Sequence, residues 1–199
     1  MAKEKKKAVP KKAAPKKSVS DISTFKAGLK YPWGNPKRLW NVLWVLIPII
    51  GWLALLGYCQ SIVRAIVAGN KTGLPEFVGF GDNLKRGFIL FVKILPLMIA
   101  YNLVYSIPGI GFLTGFIAEV FFIPYLVINL FVTDKFEESF NLKKTWNAVF
   151  NNLGDYFTAY LKTIGFVILY GLLSIILIGF PGFLFGQLFF LVEFYRNHS

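Results

Sequence analysis

Four ionisable side chains stand in stretches otherwise suited to hydrocarbon: Arg64, Lys93, Glu119 and Glu193. A charge at bilayer depth is costly, and where one is kept it marks an ion or proton route or a tie between helices. Counted from the nearest Pro/Gly breaks, Glu119 lies ten residues beyond Gly109 and Lys93 fifteen before Pro108. An offset of about 7.5 Å along adjacent helices is within a lysine's reach, so Lys93 is expected to meet Glu119. Glu193 lies eleven residues beyond Gly182, at a depth similar to Glu119, and Arg64 thirteen beyond Gly51, with Gln60 adding an amide on that arm. Together the four could line a proton or ion pathway. The plainer expectation, which the sequence favours, is that Arg64 and Lys93 extend their heads toward water while Glu119 is a single polar tie between helices.

Other chemistry is poorly supplied. With one His, one Cys and ten acidic residues, no His/Cys/Asp metal set or Ser-His-Asp arrangement is expected. The stretch Gly69-Asn70-Lys71-Thr72-Gly73 lacks the Gly-Lys-Ser/Thr order of a phosphate loop. No catalytic residue, metal or cofactor is therefore expected, and the chain reads as a non-enzyme. Cys59 is alone, which excludes an internal disulfide. The long basic N-terminal stretch does not resemble a secretory signal peptide.

The elements that must position these charges are helices in a bilayer. The chain is 55% hydrophobic and only 16% charged, against about a quarter charged in a soluble domain. From Phe88 to Pro108 the only charge is Lys93, from Gly109 to Thr133 only Glu119, and from Thr163 to Val192 there is none. Each run reaches the roughly 20 residues needed to cross the hydrocarbon core. An all-α, polytopic membrane protein follows.

A threefold pattern sets the topology. Ile47-Pro48-Ile49-Ile50-Gly51-Trp52-Leu53, Ile107-Pro108-Gly109-Ile110-Gly111-Phe112-Leu113 and Ile178-Gly179-Phe180-Pro181-Gly182-Phe183-Leu184 all end in Gly-aromatic-Leu after Ile and Pro. Gly supplies turn geometry and Pro stops the helix that enters it. Three hairpins with turns at Pro48/Gly51, Pro108/Gly111 and Pro181/Gly182 give six helical arms, near 36–47, 49–68, 86–107, 110–132, 156–178 and 182–196. Nearly every Lys and Arg then lies on one face, in accord with the positive-inside tendency, which places both termini in the cytoplasm of a multi-pass cell-membrane protein. Arms 36–47 and 182–196 are short, about 18 and 22 Å as helix. Five crossings, with Pro48 a kink, is the alternative. Gly111/Gly115 and Gly182/Gly186 are small-xxx-small pairs that would let hairpin arms approach closely.

The net charge of +12 is concentrated at the N-terminus, where residues 1–38 carry twelve Lys and Arg against Glu4 and Asp21. Residues 1–30 are expected as a disordered Lys/Ala/Pro-rich tail. Its Lys5, Lys6, Lys7, Lys11, Lys12, Lys16 and Lys17 suit anionic lipid head groups or an acidic partner, at about 1 kcal/mol each near the surface. Nucleic acid is not the expected partner, because no aromatic residue interleaves the lysines. Residues 31–199 form the transmembrane domain, with segments 69–85 and 133–155 at the interface. Asn35-Pro36 suits an N-cap and first helical position. Within 136–153, Phe136, Phe140, Trp146 or Asn147, Phe150 and Leu153 share a helical face away from most charges, as in an interfacial amphipathic helix.

The series Gly57-Tyr58, Arg64, Gly69, Gly73-Leu74-Pro75-Glu76-Phe77, Gly81-Asp82 and Gly87 resembles an uncharacterised prokaryotic, mainly archaeal, integral membrane family, domain of unknown function 4013. Asp134, Phe136, Asn152 and Tyr156 look like its second half, so the resemblance runs over about residues 36–196. It implies a multi-pass membrane protein and carries over no catalytic residue. The expected function is a membrane-organising scaffold, or an accessory subunit of a larger membrane assembly, as a homo-oligomer or complex subunit. A small transporter or channel component using Glu119 is the alternative.

Overall fold

The computed structural model describes residues 23–199; the seven tail lysines from Lys5 to Lys17 lie outside the described residues. Those described form an all-α bundle. Four stretches are long and apolar enough to cross a membrane: α3 (Ile50–Val67), α4 (Phe80–Tyr105), α5 (Gly111–Ile117) continuing through a π-helical turn (Ala118–Phe122) into α6 (Ile123–Thr133), and α8 (Leu153–Ser174). Shorter pieces accompany them: α1 (Phe25–Lys30), α2 (Pro36–Leu39) running into a 3-10 stretch (Trp40–Leu46), α7 (Leu142–Phe150), α9 (Phe180–Gly186) and α10 (Phe189–His198). The chain is a polytopic membrane protein.

Consecutive helices are separated near each of the three Pro/Gly motifs, with one residue at positive φ in each break: Ile49, Gly109 and Leu177. Pro48 and Pro108 lie in their breaks, but the third break falls at residues 175–179, before the expected turn. Pro181 and Gly182 stand in the first turn of α9, where proline's missing N–H costs nothing. Gly51 and Gly111 likewise belong to the first turns of α3 and α5. Residues 36–46 and α3 are therefore separate arms, not one crossing kinked at Pro48. At Ile49 (φ 64, ψ −67) the Ile50 N–H donates to the Pro48 carbonyl at 2.7 Å, a γ-turn of the strained positive-φ kind. The Gly111/Gly115 and Gly182/Gly186 pairs are buried beside their turns, the first against Tyr105 and the second against Tyr170 and Phe166.

Several expected arms are irregular. The first is α-helical only over Pro36–Leu39 and then winds as 3-10 helix, whose rise of about 2.0 Å per residue lengthens a short segment. Asn35 does not cap it through its side chain; its Nδ2 donates to the Leu74 carbonyl instead, at 3.1 Å. The fourth arm is interrupted around Glu119 by the π-helical turn. The cause is Pro124, which has no N–H for the Val120 carbonyl one turn back. The Tyr156 hydroxyl donates to that carbonyl from α8. The sixth arm breaks at Gln187–Leu188. Order also begins before residue 31: α1 lies inside the stretch expected as tail, N-capped by Thr24, whose Oγ1 accepts from the Ala27 N–H at 3.3 Å.

The longest helix and one of the shorter ones are opposite in burial. In the short α10 every residue from Phe189 to Tyr195 is buried, whereas the 26-residue α4 buries only Asn83, Gly87, Leu90 and Leu97. On α8, Phe157, Leu161, Ile164, Ile168 and Leu172 are exposed at helical spacing, an outward apolar stripe such as hydrocarbon requires. The tightest helix contact is α3 on α4. A Cβ on Gly57 would stand 2.0 Å from the Asn83 carbonyl oxygen and one on Gly87 1.7 Å from that of Leu53, so only glycine fits at this crossing.

Candidate functional site

The structure does not gather Arg64, Lys93, Glu119 and Glu193 into one cluster; it distributes them over three sites. The first centres on Asp134, the left-handed residue that ends α6 (φ 58). Lys93 Nζ lies 2.7 Å from its carboxylate and donates to its carbonyl at 2.7 Å. Arg64 Nη2 approaches the other carboxylate oxygen at 3.9 Å, while Arg64 Nε (2.8 Å) and Gln60 Nε2 (3.2 Å) both donate to the Phe131 carbonyl. That carbonyl belongs to the last turn of α6, which has no intrahelical donor. The partner of Lys93 is thus Asp134, not Glu119. Depth counted along two helices says nothing of the direction in which each side chain points, and that direction decides the pair.

The second site is Glu119 on the π-helical turn. Its carboxylate is exposed and accepts from the Tyr101 hydroxyl of α4 at 3.1 Å. Ile94, Leu97, Met98, Ile123 and Val127 line a groove of about 160 Å³ around the pair. The third is Glu193, 0% exposed. It accepts from the Ser23 N–H (3.0 Å) and Ser23 Oγ (2.6 Å) and is ion-paired with Lys71. Lys162 Nζ donates to the Ser23 carbonyl at 3.0 Å. Glu193 therefore holds the base of the N-terminal segment.

A fourth polar centre gave no signal in the sequence beyond a lone amide in an apolar run. Asn129 is 0% exposed. Its Nδ2 donates to the Glu138 carboxylate (2.8 Å) and carbonyl (2.9 Å), and its Oδ1 accepts from the Tyr195 hydroxyl (2.7 Å) and Lys144 Nζ (3.1 Å). The amides of Asn129 and Asn141, followed by the charge of Lys144, hold the Glu138 carboxyl below its usual range. Segment 136–150 divides into a 3-10 turn (Phe136–Phe140) and α7. It turns Ser139, Thr145, Ala148 and Val149 inward and leaves Phe136, Phe140, Leu142 and Trp146 exposed. Among the described residues, no group of three or more His, Cys, Asp or Glu is placed to hold a metal ion.

The Leu74-Pro75-Glu76-Phe77 element is a packing device. Leu74 is fully buried, and its carbonyl accepts from Asn35 and from Arg38 Nη1. The Tyr58 hydroxyl donates to the Pro75 carbonyl at 2.8 Å, the Phe77 ring packs on Tyr58 and Trp44, and Glu76 is exposed. This strap and the Gly57–Gly87 crossing fix α3, α4 and the first arm as one unit.

Neither the curated proteins nor the solved structures yield a match to the chain. The second-half resemblance through Asp134, Phe136, Asn152 and Tyr156 lies beyond the stretch that a family model covers. That stretch, residues 41–120, holds the glycine crossing and the strap, and it matches the family described as a protein of unknown function, DUF4013.

Proposed function

We propose that the protein is a non-enzymatic membrane-organising scaffold or an accessory subunit of a larger membrane assembly. In this reading both termini and the segments 69–85 and 133–155 face the cytoplasm, with the basic face toward anionic head groups. What supports it is the distribution of aromatic bulk. Tyr31, Tyr58, Tyr125, Tyr156, Phe166, Phe189, Phe190 and Phe194 fill the bundle interior, while the long helices turn apolar stripes outward. Such a body suits lateral contacts better than a solute path. The purified protein in liposomes is expected to change vesicle size or form stable oligomers without moving protons or ions. Solute flux that depends on the protein overturns the reading.

A second reading, a small transporter or channel component, draws support from one observation: Glu119 stands on a π-helical turn, a feature frequent at functional sites, with Tyr101 as its partner. Glu119→Gln should then preserve assembly and abolish proton-coupled flux. Flux unchanged in that variant removes this reading.

A further inference from the structure

Beside α7 a polar cleft of about 490 Å³ opens toward the end of α10, lined chiefly by Lys143, Lys144, Asn147, Asn151 and His198. We propose that it binds the phosphate of an anionic membrane lipid whose acyl chains lie along the neighbouring face of α7. The proposal rests on the reading above that segment 133–155 lies in the interface.

The helix and the residues following it present three stripes. Thr145, Ala148 and Val149 face the bundle. Lys143, Asn147 and Asn151, four residues apart, share a second face, which lines the cleft. Leu142 and Trp146, about 100° round the helix from Lys143 and Asn147, are 55% and 53% exposed. A phosphate site and an apolar bed for chains therefore adjoin on one short helix.

The electrostatics favour an anion. Among the described residues neither lysine is ion-paired. Lys144 Nζ is oriented by neutral partners, Asn129 Oδ1 at 3.1 Å and the Tyr195 hydroxyl at 3.4 Å. Two carboxylates stand near: Asp155, 3.2 Å from His198 Nε2, and Glu138, which accepts from Asn129 and Asn141 and already feels the Lys144 charge. Lys143 is therefore the principal cation for the phosphate. Asn147 and Asn151 bring carboxamide donors to the same wall. A free phosphate would use this wall alone, whereas a phospholipid uses both faces of the helix.

The test uses the full chain in neutral detergent, titrated with dioctanoyl phosphatidylglycerol, dioctanoyl phosphatidylcholine or inorganic phosphate and read by native mass spectrometry. One phosphatidylglycerol should be retained about tenfold more tightly than phosphatidylcholine. Lys143→Glu should lower its affinity about thirtyfold, as expected from a charge change of two at the value of one lysine per charge near the lipid. Lys143→Gln should lower it less, and exposed Lys85→Glu should leave it unchanged. Equal retention of the two lipids, unaltered affinity in a folded Lys143→Glu protein, or phosphate binding as tightly as the lipid each overturns the proposal. Quenching of Trp146 by brominated phosphatidylcholine in bilayers, taken as the difference from Trp146→Phe, tests the interfacial placement separately. Quenching without lipid selectivity removes the cleft and leaves the placement standing; no quenching removes the placement.

Discussion

Replacing Glu193 by Gln isolates the charge that holds the N-terminal segment to the bundle. The carboxylate is 0% exposed, while the Lys71 side chain is 31% exposed. At an effective dielectric near 20 a contact pair is worth about 4 kcal/mol before desolvation, and full burial of the carboxylate cancels much of that. The two bonds from Ser23 (3.0 and 2.6 Å) go to a charged acceptor, at about 1.5–3 kcal/mol each, and Gln retains one acceptor oxygen. The expected net loss is about 2–3 kcal/mol, or a fall in Tm of roughly 5–10 °C at this chain length. Removing both charges in Glu193→Gln/Lys71→Met should recover part of it, with a coupling of about 1–2 kcal/mol. Thermal unfolding in neutral detergent, followed by tryptophan fluorescence, measures the parent, Glu193→Gln, Lys71→Met and the double variant. Limited trypsin cleavage at Lys26 and Lys30 on α1 should quicken in the single variant. Additive effects, or a Glu193→Gln protein with unchanged Tm and unchanged cleavage, would refute the clasp.

Ile49→Gly should raise stability by about 1 kcal/mol, because the positive φ of 64 strains a β-branched residue and not glycine; an unchanged or lower Tm would show the turn to be relaxed. Gly87→Ala should cost ~3 kcal/mol through its clash with the Leu53 carbonyl, whereas Gly81→Ala, whose Cβ meets nothing within 4 Å, should be neutral or gain up to about 1 kcal/mol of helix propensity; equal Tm values for the two would contradict the close crossing. Glu138, whose folded-state pKa is depressed, contributes stability that is present above its unfolded pKa of about 4.3 and is lost as pH falls through the lower folded value. Glu138→Gln should therefore flatten the acid end of the stability curve, measured as Tm against pH; a curve parallel to that of the unmodified protein would assign the acid sensitivity elsewhere.

The hairpins were legible in the sequence because their cause is local. Ile47-Pro48 and Ile107-Pro108-Gly109 fall at their breaks, and the positive-φ residues there are Ile49 and Gly109. The third break, at Leu177, comes just ahead of Pro181-Gly182, which opens α9 instead of turning the chain. Ile123-Pro124 shows that the same step inside a packed helix only distorts it. The apolar face of 136–153 was legible only in part. Phe136, Phe140, Trp146 and Leu153 are exposed, as is Leu142, but they lie on three successive elements and not on one helix. Phe150, expected on the same stripe, packs on Phe121 instead. The charges were not. Lys93 and Glu119 lie within reach of each other in depth yet point to different neighbours, and Asp134, which takes both Lys93 and Arg64, looks like an ordinary loop residue after Thr133. The Asn129 centre depends on Glu138, Lys144 and Tyr195, which only tertiary packing brings together.

Broken helices in hydrocarbon are viable only where another group satisfies each freed carbonyl. In this chain the supply comes largely from side chains of neighbouring elements. Tyr156 takes the Val120 carbonyl that Pro124 abandons, Gln60 and Arg64 take that of Phe131, Tyr58 that of Pro75, and Tyr170 that of Leu29 at 2.6 Å. Trp33 Nε1 in turn donates to the Tyr170 hydroxyl at 2.7 Å. An aromatic content of 18% therefore serves two ends: rings fill the core, and three tyrosine hydroxyls brace backbone that cannot brace itself. Each brace joins segments distant in sequence, so the irregular arms are fixed to the long helices. Glu119 stands apart from this scheme. It is an acceptor on an outward face, held by one hydroxyl and satisfying no backbone group, and folding alone supplies no reason for its charge.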